Sequence, residues 1–353
     1  MIEIIRQQVL PRFGITNSAK VTPLGNGHIN DTFLVRWQSG ELVLQRINTE
    51  VFKTPNALVN NANKIAQHLH KKVAQGEYQL SVVEPISTSD NALSFDLGVQ
   101  GYWRAINYLP YSHSIEVVTN EHEAESAAKA FGHFSCALSD LDATGLEDVI
   151  PQFHYLPGRI EQLKAAASQD VVGRLSDCKK WVDFALMQDS LLLELEQSST
   201  KLPLRICHND TKINNMLYDK RDMTSLAIID LDTCMKGHLM YDFGDMVRTF
   251  TSPEEEDSTN LDKVEVRESI FAAICRGYLG ELGDVLTLDE KQSLWLGARV
   301  ICLMIGVRFL TDHLNGDIYF HVHHENHNLQ RAANQFTLYQ SLLNQQDNLK
   351  KYL

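Results

Sequence analysis

Apolar and polar positions divide the chain into a strand-patterned first part and a helix-patterned remainder. In Thr32-Phe-Leu-Val-Arg-Trp37 the residues Phe33, Val35 and Trp37 alternate onto one face, the period of a half-buried strand. Leu42–Ile47 follows the turn signal Ser39-Gly40, so the two segments predict a hairpin. A polar helical stretch from Pro55 to Lys72 comes next, then strand candidates Leu80–Ile86 and Tyr102–Tyr108. Past Leu109-Pro110 the period becomes helical. Asn120 and Glu123 make a capping-box start, and Ala127, Phe131, Phe134, Leu138 and Leu141 recur at steps of three and four, one buried helix stripe. Two short apolar runs, Leu202–Cys207 and Leu226–Ile229, bracket an unusually polar segment. A second capping box, Thr287 with Glu290, opens a long helix whose stripe is Leu294, Ala298, Ile301, Ile305 and Arg308. The expectation is an α+β chain, with a small β-rich lobe over 1–107 and a larger, mainly helical lobe over 108–353, joined near 108–112.

Composition narrows the function classes. The 353 residues carry a net charge of −13 with no block of lysine or arginine, which argues against nucleic acid or an anionic membrane as the main partner. The first residues lack the basic start and apolar core of a signal peptide. Leu294–Leu310, the most apolar stretch, is interrupted by Arg299 and Arg308, so no membrane span is expected. The six cysteines are scattered without a Cys-x-x-Cys pair, which predicts reduced thiols and a cytoplasmic protein.

The chemistry concentrates in His208-Asn-Asp210-Thr-Lys212-Ile-Asn-Asn215, followed by Ala227-Ile-Ile-Asp230-Leu-Asp232. Phosphoryl transfer needs a carboxylate for the attacking hydroxyl, oxygen ligands for magnesium on the phosphates, and a cation for the transferring group. Here each apolar run delivers carboxylates into a loop, where a rigid scaffold can aim them. A polar loop stabilised by Asn and Asp turn bonding explains single residues of this set but not the whole. At these residues the chain resembles the kinase superfamily, and the form His-Asn-Asp with Ile-Asp resembles its aminoglycoside-phosphotransferase and choline-kinase branch. The resemblance implies a protein-kinase-like two-lobed fold, with Asp210 as catalytic base, Lys212 on the transferring phosphate, Asn215 and Asp230 as magnesium ligands, and ATP as donor. Asp232 is read as a cap or brace of its loop, Asp242 as a buried brace on the catalytic loop, and Asp245–Arg248 as an ion pair one helical turn apart.

Gly25-Asn26-Gly27-His28-Ile-Asn30, ahead of the first strong strand, reads either as a hairpin turn or as a nucleotide loop; its place before two strands and a catalytic loop favours the second. The lysine that such kinases carry on the third strand is absent. Arg46 in Val43-Leu-Gln-Arg46 is the candidate for the phosphates, and Asn60, Asn61 and Asn63 stand where a glutamate partner is expected. Tyr108 and Leu109 are placed as the hinge whose backbone meets adenine.

In order along residues 22–331, Gly-Asn-Gly-His-Ile-Asn-Asp-Thr-Phe, Leu-Gln-Arg-Ile-Asn, His-Asn-Asp-Thr-Lys-Ile-Asn-Asn, Ile-Ile-Asp-Leu-Asp-Thr and Arg308-Phe-Leu-Thr-Asp-His-Leu-Asn-Gly-Asp-Ile-Tyr319-Phe are similar to the N-acetylhexosamine 1-kinases. That resemblance implies a small-molecule partner, an amino sugar, phosphorylated at its anomeric hydroxyl near Asp210. It assigns Arg308, Tyr319 and His28 to the sugar. Two readings of Arg308 stay open: contact with the sugar, or an ion pair with Asp312 or Asp242. His321, His323, His324 and His327 are read as surface and structural histidines. A kinase of the same fold acting on an aminoglycoside, choline, homoserine or another sugar is the alternative. A nucleotide-binding regulator is disfavoured because Asp210, Asn215 and Asp230 are all present, and a metal-dependent hydrolase because no ligand repeat accompanies them.

Overall fold

The computed structural model describes residues 1–25 and 29–353 and divides into two compact units. Unit 1 is Met1–His113, Asp140–Pro151 and Leu217–Lys236; unit 2 is Ser114–Ser139, Gln152–Met216 and Gly237–Leu353. The expected α+β fold is what the chain adopts, with the main sheet in the first unit and most helices in the second.

In unit 1 the strands β1 (Lys20–Pro23), β2 (Asp31–Trp37), β3 (Gly40–Ile47), β4 (Pro85–Ile86), β5 (Ser94–Asp96) and β6 (Tyr102–Asn107) form one antiparallel sheet in the order β1-β2-β3-β6-β4, with β5 also paired to β6. The predicted hairpin is there, with Trp37 opposite Gly40. Phe33, Val35, Leu42, Leu44, Trp103 and Ala105 share one face and pack on Ile5, Val9 and Leu10 of the amino-terminal turns. The opposite face follows from the same alternation: Thr32, Gln45 and Arg104 stand side by side across β2, β3 and β6. Of the strand expected over Leu80–Ile86, only Pro85 and Ile86 pair with β6, and Ser81 donates its N–H to Leu226 instead. The polar helix runs Pro55–Gln75 and closes on Gly76 in the left-handed region.

A second small sheet of unit 1 joins β7 (Ser112–His113), β9 (Met216–Asp219) and β10 (Ser225–Ile228) in the order β10-β9-β7, while β8 (Arg205–Cys207) belongs to unit 2.

Unit 2 is built around the Leu288–Leu314 helix, against which the helices Leu239–Phe250, His327–Asn344 and Leu156–Gln169 pack, with Glu121–Ala137 lying on Glu268–Leu282. Both capping expectations hold at the level of hydrogen bonds. Asn120 accepts from Glu123 N at 3.0 Å, and the Thr287–Glu290 box is complete in both directions. The single stripe expected for the long helix is corrected: most of its circumference is buried, because helices cover it on several sides. By length and composition this helix also passes for a membrane span, with a mean hydropathy of 1.7 over 18 residues, which corrects the expectation that none would. Its apolar surface is accounted for as the core of unit 2, since 78% of that window is buried. Gly297 allows the closest approach: a Cβ there would lie 2.0 Å from the carbonyl oxygen of Met240, so the helix pair crosses backbone to backbone.

Candidate active site

In unit 2, β8 is a buried three-residue strand that ends at Cys207 and releases the chain into the polar loop. A buried carboxylate holds the first amides of the loop. Asp242, near the start of the Leu239–Phe250 helix, accepts from His208 N at 2.8 Å and from Asn209 N at 2.7 Å, while Thr211 Oγ1 donates to the Asp242 carbonyl at 2.7 Å. Asn209 turns the chain in the left-handed region (φ 65°), a conformation asparagine tolerates better than most residues. The His208 ring stands edge-on to Phe131 and Phe134, residues of the predicted helix stripe. The loop is thus pinned at the backbone and wedged by an imidazole.

This turn presents Asp210. Its carboxylate lies 3.0 Å from Lys212 Nζ and accepts from Asn215 Nδ2 at 3.0 Å; the same Nδ2 also reaches the Asp210 carbonyl at 2.8 Å. Burial works against the charge, but Lys212, by its cation and its hydrogen bond, holds the Asp210 carboxyl below the usual carboxylate range. Lys212 is in turn held charged by Asp210. The three residues predicted to act together in this loop therefore meet. Asn215 uses its amide nitrogen on Asp210, and its Oδ1, the end that ligates a hard cation, has no hydrogen-bond partner among the described residues. Asp245 and Arg248 form the expected pair at 2.8 Å, extended by Glu256 on Arg248.

In unit 1 the segment after β10 turns sharply. Asp230 is exposed and sits in the left-handed region (φ 60°, ψ 55°), and Leu231–Thr233 form one helical turn immediately after it. Strand alternation would put Asp230 and Asp232 on one face, but this turn separates them: Asp232 is buried at 2% exposure. It accepts from Asn30 Nδ2 at 2.7 Å and forms a buried ion pair with Arg104 Nη2. Arg104 Nε donates to Gln45 Oε1 at 2.9 Å, and Gln45 Nε2 donates to Thr32 Oγ1 at 3.3 Å. Asn61 of the Pro55–Gln75 helix donates to the carbonyls of Cys234 and Glu147 at 3.2 and 2.8 Å, fixing the far end of the turn. The expected brace role of Asp232 is therefore realised in full hydrogen-bond detail.

Arg46 goes elsewhere. It shares the sheet face of Leu44 and Trp103, donates from Nε to Asp31 at 2.7 Å, and lines an open hollow with Asn48, Gly98 and Gly101. The cation on the face that meets Asp232 is Arg104, from β6. Asn30 lies with Asp232, Gly25 is exposed at φ 73°, and Asn26, Gly27 and His28 fall outside the described residues. Tyr108 and Leu109 follow β6; the Tyr108 ring carries Arg36 at 5.5 Å, and the Leu109 carbonyl accepts from Ser112 Oγ at 2.6 Å.

A third cluster, again in unit 2, surrounds Arg308. Its guanidinium lies over the rings of Phe153, Tyr319 and Phe320 at 5.4, 5.7 and 5.3 Å, and among the described residues no carboxylate pairs with it. The ion-pair reading of Arg308 is thereby corrected, for both suggested partners are committed. Asp242 holds the backbone of His208 and Asn209. Asp312 accepts from the backbone N–H of Ile318, Tyr319 and Phe320 at 3.0, 2.8 and 2.9 Å, and from Asn328 Nδ2 at 2.9 Å. That carboxylate closes the end of the long helix and fixes the backbone under Tyr319, whose side chain is exposed. Burial, the Tyr319 hydroxyl and a second cation, Arg159, act on Arg308, with a net lowering of its pKa.

His154, next to Phe153, donates Nε2–H to the Asn209 carbonyl at 3.3 Å; burial and then Arg308 push its pKa down to about 3, so it is neutral. Its Nδ1 has no hydrogen-bond partner among the described residues. The histidine run behaves differently: His327 is buried, with Nε2 3.3 Å from Asp257 and Nδ1 accepting from His323 N.

Arg104, Asn61, Asp312, Phe153, His154 and Arg159 were not singled out for these roles in the sequence. Only Asp312 had a local signal, standing four residues after Arg308 at the end of an apolar run.

The sequence profile of the phosphotransferase enzyme family matches residues 20–283. Among solved structures, the chain is similar to a microcompartment-associated aminopropanol kinase (TM-score 0.62, 15% identity, covering 99% of this chain and 100% of the other). It is similar to choline kinase from Cryptosporidium parvum (TM-score 0.57, 14% identity, 98% and 96%) and to aminoglycoside 2′-phosphotransferase-IIIa in its GDP complex (TM-score 0.54, 15% identity, 99% and 97%). At these identities the structural likeness speaks for the fold.

Proposed function

The chain belongs to the phosphotransferase enzyme family, and from that premise we propose that it transfers the γ-phosphoryl group of ATP to the anomeric hydroxyl of an N-acetylhexosamine. The observation that carries the transfer chemistry is the Asp210 carboxylate, kept anionic between Lys212 and Asn215 on a loop hung from Asp242. In this reading residues 1–107 form the nucleotide-binding lobe and residues 108–353 the catalytic and substrate lobe.

Magnesium is assigned to Asp230 and Asn215, each read within its own unit: Asp230 is exposed, and Asn215 Oδ1 has no hydrogen-bond partner among the described residues. Magnesium takes few protein ligands and completes its shell with phosphates and water. When bound, magnesium would neutralise charge on the phosphates. Asp210 accepts the hydrogen bond of the acceptor hydroxyl and orients its oxygen for attack. Lys212 offsets charge on the transferring group. Gly25, Asn26, Gly27 and Asn30, with Tyr108 and Leu109, are assigned to the nucleotide, and Arg46 to it as a peripheral cation.

For the acceptor, the reading is supported by the chemistry around Arg308. A guanidinium without a carboxylate, a second cation at Arg159, and a neutral His154 form surroundings that repel an ammonium group. The aromatic faces of Phe153, Tyr319 and Phe320 suit a sugar ring, and Tyr319 is exposed to meet it. His28 is assigned to the same acceptor.

The test is ADP release with magnesium–ATP against N-acetylglucosamine, N-acetylgalactosamine, glucose, choline, homoserine and kanamycin. Turnover confined to the N-acetylhexosamines, with an acid-labile 1-phosphate as product, is the expected result. Arg308→Ala raises the acceptor KM about ten- to a hundredfold, the worth of a hydrogen bond to a charged group, with the ATP KM unchanged. Turnover of choline or kanamycin in preference to the sugars would discard the acceptor reading and keep the phosphotransferase.

A further inference from the structure

We propose that Asp232 is a positioning residue that couples nucleotide binding to magnesium binding, by tying the end of the glycine segment to the turn that carries Asp230. The inference rests on the nucleotide and magnesium roles proposed above, and it assigns to Asp232 a task that neither its motif nor its family membership specifies. Three observations within unit 1 carry it.

The first is that one buried carboxylate serves two elements. Its Oδ2 accepts from Asn30 Nδ2 at 2.7 Å and its Oδ1 from Arg104 Nη2. Second, neither donor is free to swing. Asn30 is held at its other end, where Oδ1 accepts from Asn48 N at 2.9 Å, so its amide cannot flip without losing a bond. Arg104 is locked to the sheet through Gln45 and Thr32. Third, Asp232 sits on the single helical turn that begins at the residue after Asp230, and Asn61 fixes the carbonyl of Cys234 at the end of that turn. Asp230 itself holds a left-handed conformation that a non-glycine residue adopts at a cost and keeps only when its surroundings impose it.

A shift of Asn30 therefore loads the bond to Asp232, and Asp232 cannot move without disturbing a buried ion pair or the backbone two residues from Asp230. With Arg104 at 4% exposure and Asp232 at 2%, solvent cannot replace the lost partner. A nucleoside diphosphate or triphosphate that bears on Asn30 thus sets the Asp230 carboxylate for magnesium, and magnesium at Asp230 returns the same free energy to the nucleotide. This also gives a role to the arginine on β6 in a chain without the third-strand lysine.

The experiment is calorimetric titration of ADP into the full chain, in excess magnesium chloride and in EDTA, read as the ratio of the two dissociation constants. The expected result is that Asn30→Ala, which leaves the Arg104–Asp232 pair intact, lowers that ratio by about fivefold or more, the small end of site-to-site coupling. Asp232→Asn, which also removes the charge paired with Arg104, lowers it at least as far, and the double variant loses no more than Asp232→Asn alone, because the Asn30 bond runs through that carboxylate. A ratio preserved in Asn30→Ala, whether or not the variant melts earlier or binds ADP more weakly in both conditions, would overturn the coupling role alone. A ratio unchanged in Asp230→Asn, or equal to one in the unaltered protein, would remove the magnesium site first and the coupling with it.

Discussion

The loop carrying Asp210 hangs from a carboxylate through main-chain donors, whereas the turn carrying Asp230 is fixed through side chains. Asp242 takes up the amides of two successive residues, so almost any side chains at those positions would be held in place. Around Asp230 the anchors are the side chains of Asn30, Arg104 and Asn61, each from a different element. A main-chain anchor makes a rigid turn from residues close to it in one helix and one strand. Side-chain anchors couple distant elements instead, and they depend on each partner being present. In the proposed function, the first arrangement suits Asp210 as the group aimed at the reacting oxygen, and the second suits Asp230 as a ligand whose position answers to what else is bound.

Replacing the aimed group itself separates the two regions most sharply. Asp210→Ala lowers kcat by about 10²- to 10⁴-fold, the range for a positioned general base, while ADP titrations in magnesium remain those of the unaltered protein. Near-normal turnover in this variant would remove Asp210 from the reaction. A smaller effect, on stability, comes from the other region. Arg104→Met leaves Asp232 buried without its cation and lowers unfolding free energy by about 3–5 kcal/mol in urea titrations. The same change at half-buried Arg46, whose partner Asp31 is exposed, stays within about 1 kcal/mol, as for a surface pair, and equal losses at the two arginines would dissolve the distinction drawn between the sheet faces.

The smallest effect is a pH dependence at the main-chain anchor. Burial pushes the Asp242 carboxyl up to about 7, against its two backbone donors, which favour the anion. A carboxyl whose folded pKa is raised contributes stability that is present at acid pH and is lost as pH rises through the folded value. The stability gap between the unaltered protein and Asp242→Asn therefore narrows from pH 5 to pH 7 and is flat above. A gap that widens over that range would show that the two N–H donors outweigh burial and that Asp242 is anionic throughout.

Much of the Asp210 region was legible along the chain because its parts are local. His208, Asp210, Lys212 and Asn215 lie within eight positions of each other, and the brace at Asp242 lies in the next helix. Hydrophobic alternation likewise predicted the β2–β3 hairpin, and capping residues marked both helix starts. At Arg46 the strand register adds what the stretch alone does not show. This residue occupies the expected stretch, but β3 alternation turns Gln45, not Arg46, to the face of Arg104 and Asp232. Leu80–Ile86 is apolar enough for a strand, yet only Pro85 and Ile86 find a partner, since strand formation is decided by the neighbour as much as by the segment.

What the sequence determined by itself were features set by near neighbours: helix caps, strand alternation, the order of acidic motifs, and membership of the phosphotransferase family. What only the tertiary structure decided were the partners of charges. Arg104 meets Asp232 across 128 positions, Asn30 meets it across 202, and Arg308 finds three aromatic rings where a carboxylate was one of the expectations. The physical reason is that a buried charge needs a partner or a ring face supplied by whatever element folding brings next to it, and no local pattern encodes that neighbour.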